Sequence, residues 1–271
     1  MKLSRKENDF IKQVRDFYIL HGRHNLPWRL TKSPYRILVS EVMLQQTQVE
    51  RVIPKYKSFL KRFPTITVLS KASLGDVLKE WQGLGYNRRA KKLHECAKEI
   101  TQRFRGRTPK LYGELVELPG VGPYTAGAVM AFAHNVAVPI IETNIRTVFI
   151  HHFFHDEMDI PDSEIVRYIE RTLDRKNPRE WYYALMDYGA YLKKTIGNQN
   201  QRSKHHIKQS TFRDSDRQIR GAILRLLIQE PYTRKKLHIA LSYDIQRIDE
   251  QLERLREEGM IVKKQRTYKL P

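Results

Sequence analysis

The 271-residue chain has a single cysteine, Cys96. Intrachain disulfides are therefore excluded, and so is any all-cysteine zinc or iron–sulfur site. The chain has no run approaching the roughly 20 apolar residues that a bilayer span requires. Its first residues, MKLSRKENDF, lack the apolar core of a secretory signal. These absences lead us to expect an intracellular protein, cytoplasmic and nucleoid-associated if prokaryotic, with no membrane partner. Acid is also scarce: 30 Asp and Glu stand against 50 Lys and Arg, a formal charge of +20. Such a surplus suits a polyanion, because each neutralised phosphate releases condensed counterions. The cations are spread along the chain among aromatics, not gathered in one amphipathic helix, which favours nucleic acid over an anionic membrane. A hydrophobic fraction of 40% suffices for a packed core.

Convincing strand alternation is missing from residues 1–195. Apolar residues recur instead at three- and four-residue spacing in NDFIKQVRDFYIL, RILVSEVMLQQTQVERVI and LGDVLKEWQGLGY. Asn25-Leu26-Pro27, Phe63-Pro64 and Thr108-Pro109 punctuate them. Residues 1–195 are expected to form an all-α domain. Residues 196–215 are polar and basic and read as a linker or loosely held segment. Residues 216–271 differ again. DRQIRGAILRLLIQ predicts an amphipathic helix, Thr233 caps a short second one, and a third ends at Gly259. The alternating MIVKKQRTYKL predicts a two-stranded wing. Three helices and a hairpin make a small winged-helix-like α+β domain, or else a dimerisation or packing module.

Three features carry chemistry. Glu41 stands among Ile37, Leu38, Val39, Val42, Met43 and Leu44. A carboxyl in such a run either faces solvent or is buried with a raised pKa, which would suit a general acid. Leu118-Pro119-Gly120-Val121-Gly122 precedes a helix of small residues, YTAGAVMAFA. Gly120 and Gly122 permit a tight hairpin whose backbone N–H groups can hold a phosphate without reading sequence. Glu142 ends an apolar run before a helix that Thr143 or Asn144 could cap; read alone, Glu142 is a capping residue.

With Leu26-Pro27-Trp28-Arg29, Ser40 through Thr47, Gly83-Leu84-Gly85-Tyr86, Leu118 through Gly127 and Met186 through Ala190 in order, the chain resembles the adenine DNA glycosylases (MutY-type) over about residues 8–195. These belong to the helix-hairpin-helix, endonuclease III-like superfamily. The resemblance implies an all-α helix-hairpin-helix glycosylase domain. It makes Glu41 the acid that protonates the purine and then helps deliver water, with Glu142 the carboxylate that stabilises the oxocarbenium-like sugar. Asn144 lies near the sugar and water, and Arg29 lines the base pocket. Gln46 and Tyr86 wedge into the duplex while the base is flipped out; Gln45, Gly120 and Gly122 join them as DNA-contacting positions. Tyr124 stands where related lyases carry a Schiff-base lysine, so a monofunctional enzyme is expected.

Three departures bear on the substrate. The stabilising carboxylate is normally Asp, one methylene shorter than Glu142. The four cysteines of the family's iron–sulfur loop align with Lys193, Asn200, Ser203 and Gln209, so no cluster and no metal are expected; the resemblance leaves room for a monovalent cation at the hairpin carbonyls around 118–122. The family's C-terminal reader of 8-oxoguanine is replaced by the winged-helix-like tail, and Tyr183 stands where relatives place Gln or Glu against the adenine edge. The expected partner is double-stranded DNA holding a mispaired or damaged base, bound by a monomer. The expected reaction is base-excision hydrolysis of the N-glycosidic bond of adenine opposite 8-oxoguanine or guanine. A thymine or uracil mismatch glycosylase is the alternative, and a catalytically weak DNA-binding regulatory protein is the reading from another class.

Overall fold

A computed structural model describes residues 2–208 and 211–271. The chain forms two compact units. The first comprises residues 1–41, 109–117 and 121–208, and the second 42–108, 118–120 and 209–271. No helix among the described residues is long and apolar enough to cross a membrane.

The first unit is helical. It contains α1 (Arg5–His21), the first two turns of α2 (Pro34–Leu44), α7 (Tyr112–Val116), α8 (Pro123–His134), α9 (Thr143–Phe153), α10 (Asp162–Thr172) and α11 (Pro178–Thr195). α1 opens with a capping box in which Ser4 and Glu7 satisfy each other's backbone N–H groups. Glu7 also takes the Arg171 guanidinium, whose hydrogen bonds hold its carboxyl down at about 2. α8 and α11 each begin with proline at the first helical position, where the missing N–H leaves nothing unpaired. The core gathers where α1, α9 and α11 meet. Phe10 packs edge-on against Phe153 and Trp181, with ring centroids 5.1 and 6.0 Å away. α9 and α11 approach so closely that a Cβ on Gly189 would lie 2.3 Å from the Asn144 carbonyl oxygen.

The stretch 196–208, expected to be loosely held, contains a 3-10 turn at Gln199–Arg202. Asn200 and Ser203 are buried. Arg146 anchors it by donating to Asn200 Oδ1 at 3.0 Å, while its other guanidinium nitrogens grip Asp162. Gln209 lies outside the described residues.

The second unit holds the last turn of α2, then α3 (Val49–Arg62), α4 (Ile66–Lys71), α5 (Leu74–Glu80) and α6 (Arg88–Phe104). Phe59, Phe63 and Trp81 are its aromatic core. The periodic stretch around Gln45–Gln48 is broken between α2 and α3, with Gln46 at a φ of 56°. The tail belongs to this same unit. It runs α12 (Asp216–Gln229), β1 (Tyr232–Thr233), α13 (Arg234–Ala240), α14 (Ile245–Glu257), β2 (Val262–Lys264) and β3 (Thr267–Lys269). Thr233 caps α13 by accepting from the Lys236 N–H. Gly259, at a φ of 65°, lets the chain turn out of α14. The wing is three-stranded, not two: β1 joins the hairpin, giving the antiparallel order β1-β3-β2. Glu258 joins α6 to α12 by taking Arg88 and Arg220.

Candidate active site

Two carboxylates in the first unit occupy opposite environments. Glu41 is 6% exposed on α2. Burial is the main force on it and pushes its pKa up to about 7; the Glu142 charge adds to the rise, and the Tyr124 hydrogen bond and Arg29 oppose it. Tyr124, in the first turn of α8, donates its hydroxyl proton to Glu41 Oε2 at 2.8 Å. Burial and the neighbouring carboxylates hold the Tyr124 hydroxyl itself far above the ordinary tyrosine value. Tyr124 is thus a neutral donor that fixes the direction of the acid.

Glu142 is the N-cap of α9, the role its position alone suggests, and neither Thr143 nor Asn144 takes it. Its Oε1 accepts the backbone N–H groups of Asn144 and Ile145 at 2.8 and 2.9 Å. Its Oε2 accepts the Asn144 amide at 3.3 Å and the Thr143 hydroxyl at 3.2 Å. Four donors at a helix N-terminus make a cradle for a full negative charge. Lys193, near the end of α11, closes this network. Its Nζ donates to Asn144 Oδ1 at 2.8 Å and to Thr143 Oγ1 at 3.0 Å. The lysine fixes which way the Asn144 amide points, so that the NH2 end faces Glu142.

Arg29 adds a cation that acts on Glu41. It forks onto Asp187 of α11 at 2.7 and 2.8 Å and lies 4.5 Å above the Tyr183 ring. Burial works to raise the Asp187 carboxyl, but Arg29 and Arg23 override it and hold it below the usual range. Tyr183 in turn stacks on Phe132 of α8, with centroids 4.6 Å apart. One acid with a raised pKa and one cradled anion are the two groups needed to break a glycosidic bond through a cationic sugar.

A family model described as the HhH-GPD superfamily base excision DNA repair protein matches residues 39–174. The chain belongs to the HhH-GPD superfamily. It is 38% identical over 187 residues to an adenine DNA glycosylase of Buchnera aphidicola subsp. Baizongia pistaciae, covering 68% of this chain and 52% of that one. It thus spans about half the length of that relative. An adenine DNA glycosylase of Mycolicibacterium smegmatis is 34% identical, with 89% of each chain covered. Among solved structures, a thermostable thymine-DNA glycosylase superposes with a TM-score of 0.61 at 26% identity, over 69% of this chain and 87% of that one.

The hairpin that gives the superfamily its name lies between α7 and α8. Gly120 has a φ of 76°, and a Cβ there would press within 2.6 Å of Lys92 Cβ. Gly122 has ordinary backbone geometry and open space where a Cβ would stand, so neither strain nor crowding within the protein requires glycine there.

The other sequence-predicted residues of this HhH-GPD chain lie in the second unit. Gln46 and Tyr86 both carry left-handed backbone, with φ of 56° and 45°. Non-glycine residues hold that conformation only when their surroundings enforce it. Arg89 supplies the enforcement. Its guanidinium donates to the carbonyls of Val42 and Met43 at 2.7 and 3.0 Å, and to that of Gln45. Its second nitrogen reaches the carbonyls of Leu84 and Gly85 at 3.1 and 3.2 Å. One side chain thereby clamps the Gln45–Gln46 loop to the Gly83–Tyr86 loop. The Tyr86 hydroxyl accepts from Arg217 of α12.

Of the four positions that the resemblance sets against cluster cysteines, the three described ones carry no thiol and are engaged otherwise. Lys193 serves Asn144, Asn200 serves Arg146, and Ser203 Oγ accepts the His205 N–H at 3.1 Å. The one thiol, Cys96, is buried on α6 in the second unit. His206 bonds to Asn200, and no group of three or more His, Cys, Asp or Glu among the described residues is placed to hold a metal.

Sequence reasoning did not find Arg89, or the site roles of Asp187 and Lys193. Asp187 lies within Met186 through Ala190 and Lys193 at a position that the resemblance sets against a cluster cysteine, but their partners are more than forty residues away. Asp187 inside the apolar stretch ALMDYGAYL was the available signal, whereas Arg89 stands in a basic run, NRRAKK, that gives it none.

Proposed function

We propose that this chain is a monofunctional base-excision DNA glycosylase that removes adenine opposite 8-oxoguanine or guanine from duplex DNA. The observation that carries the reading is Glu41, held by Tyr124 and poised with a pKa of about 7, in the same unit as the cradled Glu142. The relatives named adenine DNA glycosylase support it. Near neutral pH Glu41 retains a proton to donate to the departing purine. As the base leaves with the bonding pair, Glu142 faces the cationic sugar and lowers its energy. The newly ionised Glu41 then takes a proton from the attacking water, which returns the acid to its starting state. Tyr124 offers no amine, so this reading includes no covalent Schiff base and no strand cleavage. No iron–sulfur cluster enters the reading, and a cation at the hairpin carbonyls has no side chain to call for it.

Gln46 and Tyr86 are proposed as the wedge, since their strained and clamped loops suit residues that must hold shape against an unstacking duplex. The open space at Gly122 is proposed as room for a phosphate to approach the backbone.

The similarity to a thymine-DNA glycosylase structure favours a second reading, excision of thymine or uracil opposite guanine. Labelled duplexes bearing each pair, followed by alkali, separate the two. Cleavage at adenine opposite 8-oxoguanine or guanine supports the first reading, and cleavage only at thymine or uracil opposite guanine replaces it. No alkali-labile site on any duplex, with binding retained, would leave a DNA-binding protein without this activity.

A further inference from the structure

The tail presents two surfaces of opposite electrostatic character. α14 stands where a helix-turn-helix carries its reading helix, after a short turn that follows α13. Its arginines are already used. Arg247 pairs with Asp216 at 2.9 Å, Arg254 with Asp216 at 3.4 Å and Arg256 with Glu253 at 2.6 Å. Glu250 and Glu257 are exposed on the same helix. A phosphate approaching α14 therefore meets exposed carboxylates and arginines that already have carboxylate partners.

The wing is the reverse. Lys263, Lys264 and Arg266 are all exposed on the β2–β3 hairpin, and Lys235 and Lys236 are exposed where α13 leaves β1. The pairing Thr233↔Thr267 and Lys264↔Thr267 brings these two segments to one end of the sheet. None of the five has a carboxylate within ion-pair distance among the described residues. Asp249 is already engaged by Arg234 and, at 2.8 Å, by His238. Five clustered cations without counter-charge repel one another, and a polyanion relieves that repulsion.

We propose that the wing, with the start of α13, is a sequence-independent binding surface for the phosphate backbone of duplex DNA, and that α14 does not read bases. Two observations favour DNA over another polyanion. The tail shares its compact unit with Gly120 and the Gln46 and Tyr86 loops. Arg217 of the tail holds the Tyr86 hydroxyl directly. The proposal shares its partner with the glycosylase reading but uses none of its catalytic residues, so the two can fail separately.

The test uses the full chain and an undamaged duplex, with affinity followed by fluorescence anisotropy across a salt series. The wing variant is K263E/K264E/R266E, with a charge-neutral K263Q/K264Q/R266Q version in case the first does not fold. A Q246A/E250A/E257A variant of α14 is the control. The wing variants are expected to weaken binding about tenfold or more and to flatten the plot of log affinity against log salt by ~2–3, one unit per lost phosphate contact. The loss should be the same for unrelated sequences, and the control should bind like the wild type. Single-turnover excision at saturating protein should be unchanged in the wing variants. Unchanged affinity and slope in a folded wing variant would overturn the proposal. So would loss of binding confined to the α14 variant, or a wing-dependent affinity for single-stranded RNA or anionic vesicles in place of duplex. Wing-dependent binding without excision of any base would leave this proposal standing and overturn the glycosylase reading.

Discussion

Glu41 and Glu142 are the same residue type with opposite assignments, and the surroundings make the difference. Glu41 loses water and gains one neutral donor, whereas Glu142 gains two backbone N–H groups and two side-chain donors. The raised pKa of Glu41 has a thermodynamic sign. The folded state binds its proton more tightly than the unfolded chain, so stability is lost as pH rises from 4.5 towards 7. Glu41→Gln should therefore abolish excision yet stabilise the protein at pH 8 by up to ~3 kcal/mol, with much less gain near pH 5. Urea midpoints at the two pH values check this, and a variant less stable than wild type at pH 8 would refute the buried acid. Tyr124→Phe removes the one hydrogen bond that lowers the Glu41 pKa. The fall in excision rate with rising pH should then move to higher pH, as a single-turnover profile would show; an unmoved profile would separate Glu41 from the rate-limiting proton transfer. Lys193→Ala should lower the excision rate at saturation more than it lowers DNA affinity, because the lysine orients Asn144 and Thr143 around Glu142. Lys193→Arg should recover part of the rate, and equal losses in rate and affinity would assign Lys193 to DNA contact instead.

At the scale of elements, the site depends on where helices cross and how their ends are tied. Gly189 permits the α9–α11 approach that sets Asn144 and Lys193 side by side. Gly189→Ala would drive a methyl into the Asn144 carbonyl and force the helices apart. A loss of about 1–3 kcal/mol is expected for such overpacking, together with a fall in excision although Gly189 is not assigned any contact with substrate. Retained stability and rate would mean the crossing relaxes at no cost. Glu258 is the tie between α6 and α12. Burial acts to raise its carboxyl, but Arg88 and Arg220 overcome this and hold it at about 2. Its contribution is present above about pH 4.5 and lost as pH falls towards 2. Glu258→Gln should thus destabilise the protein at pH 7 and make little difference near pH 2.5, as read from denaturation midpoints; equal losses at both pH values would deny the charge pairing its role.

At the scale of the whole molecule, the charge of +20 acts in two directions. It strengthens binding to a polyanion and destabilises the compact state by self-repulsion. Added salt screens both effects. Raising it should weaken duplex binding steeply while leaving the melting temperature unchanged or higher. A melting temperature that falls with salt would show that the ion pairs, Glu7–Arg171 and the Glu258 cluster among them, outweigh the repulsion.

Much of this was legible in the sequence because it is local. The three-and-four spacing of apolar residues marked the helices, Thr233 and Gly259 marked helix ends, and Gly120 marked a turn that needs a left-handed φ. The break between α2 and α3 was not legible, because the apolar spacing runs through it and the force that bends it comes from Arg89, more than forty residues on. The third strand of the wing was missed for a related reason: β1 is two residues long and exists only by pairing with β3. By itself the sequence determined the helices, the hairpin and the candidate acid, since these follow from backbone preference and residue type within a few positions. Only the tertiary structure decided that Glu41 is buried against Tyr124, that four donors gather on Glu142 with Lys193 behind them, and that Lys263, Lys264 and Arg266 stand exposed together on the wing. Burial, hydrogen bonding and charge pairing depend on distance in space, which sequence separation does not measure.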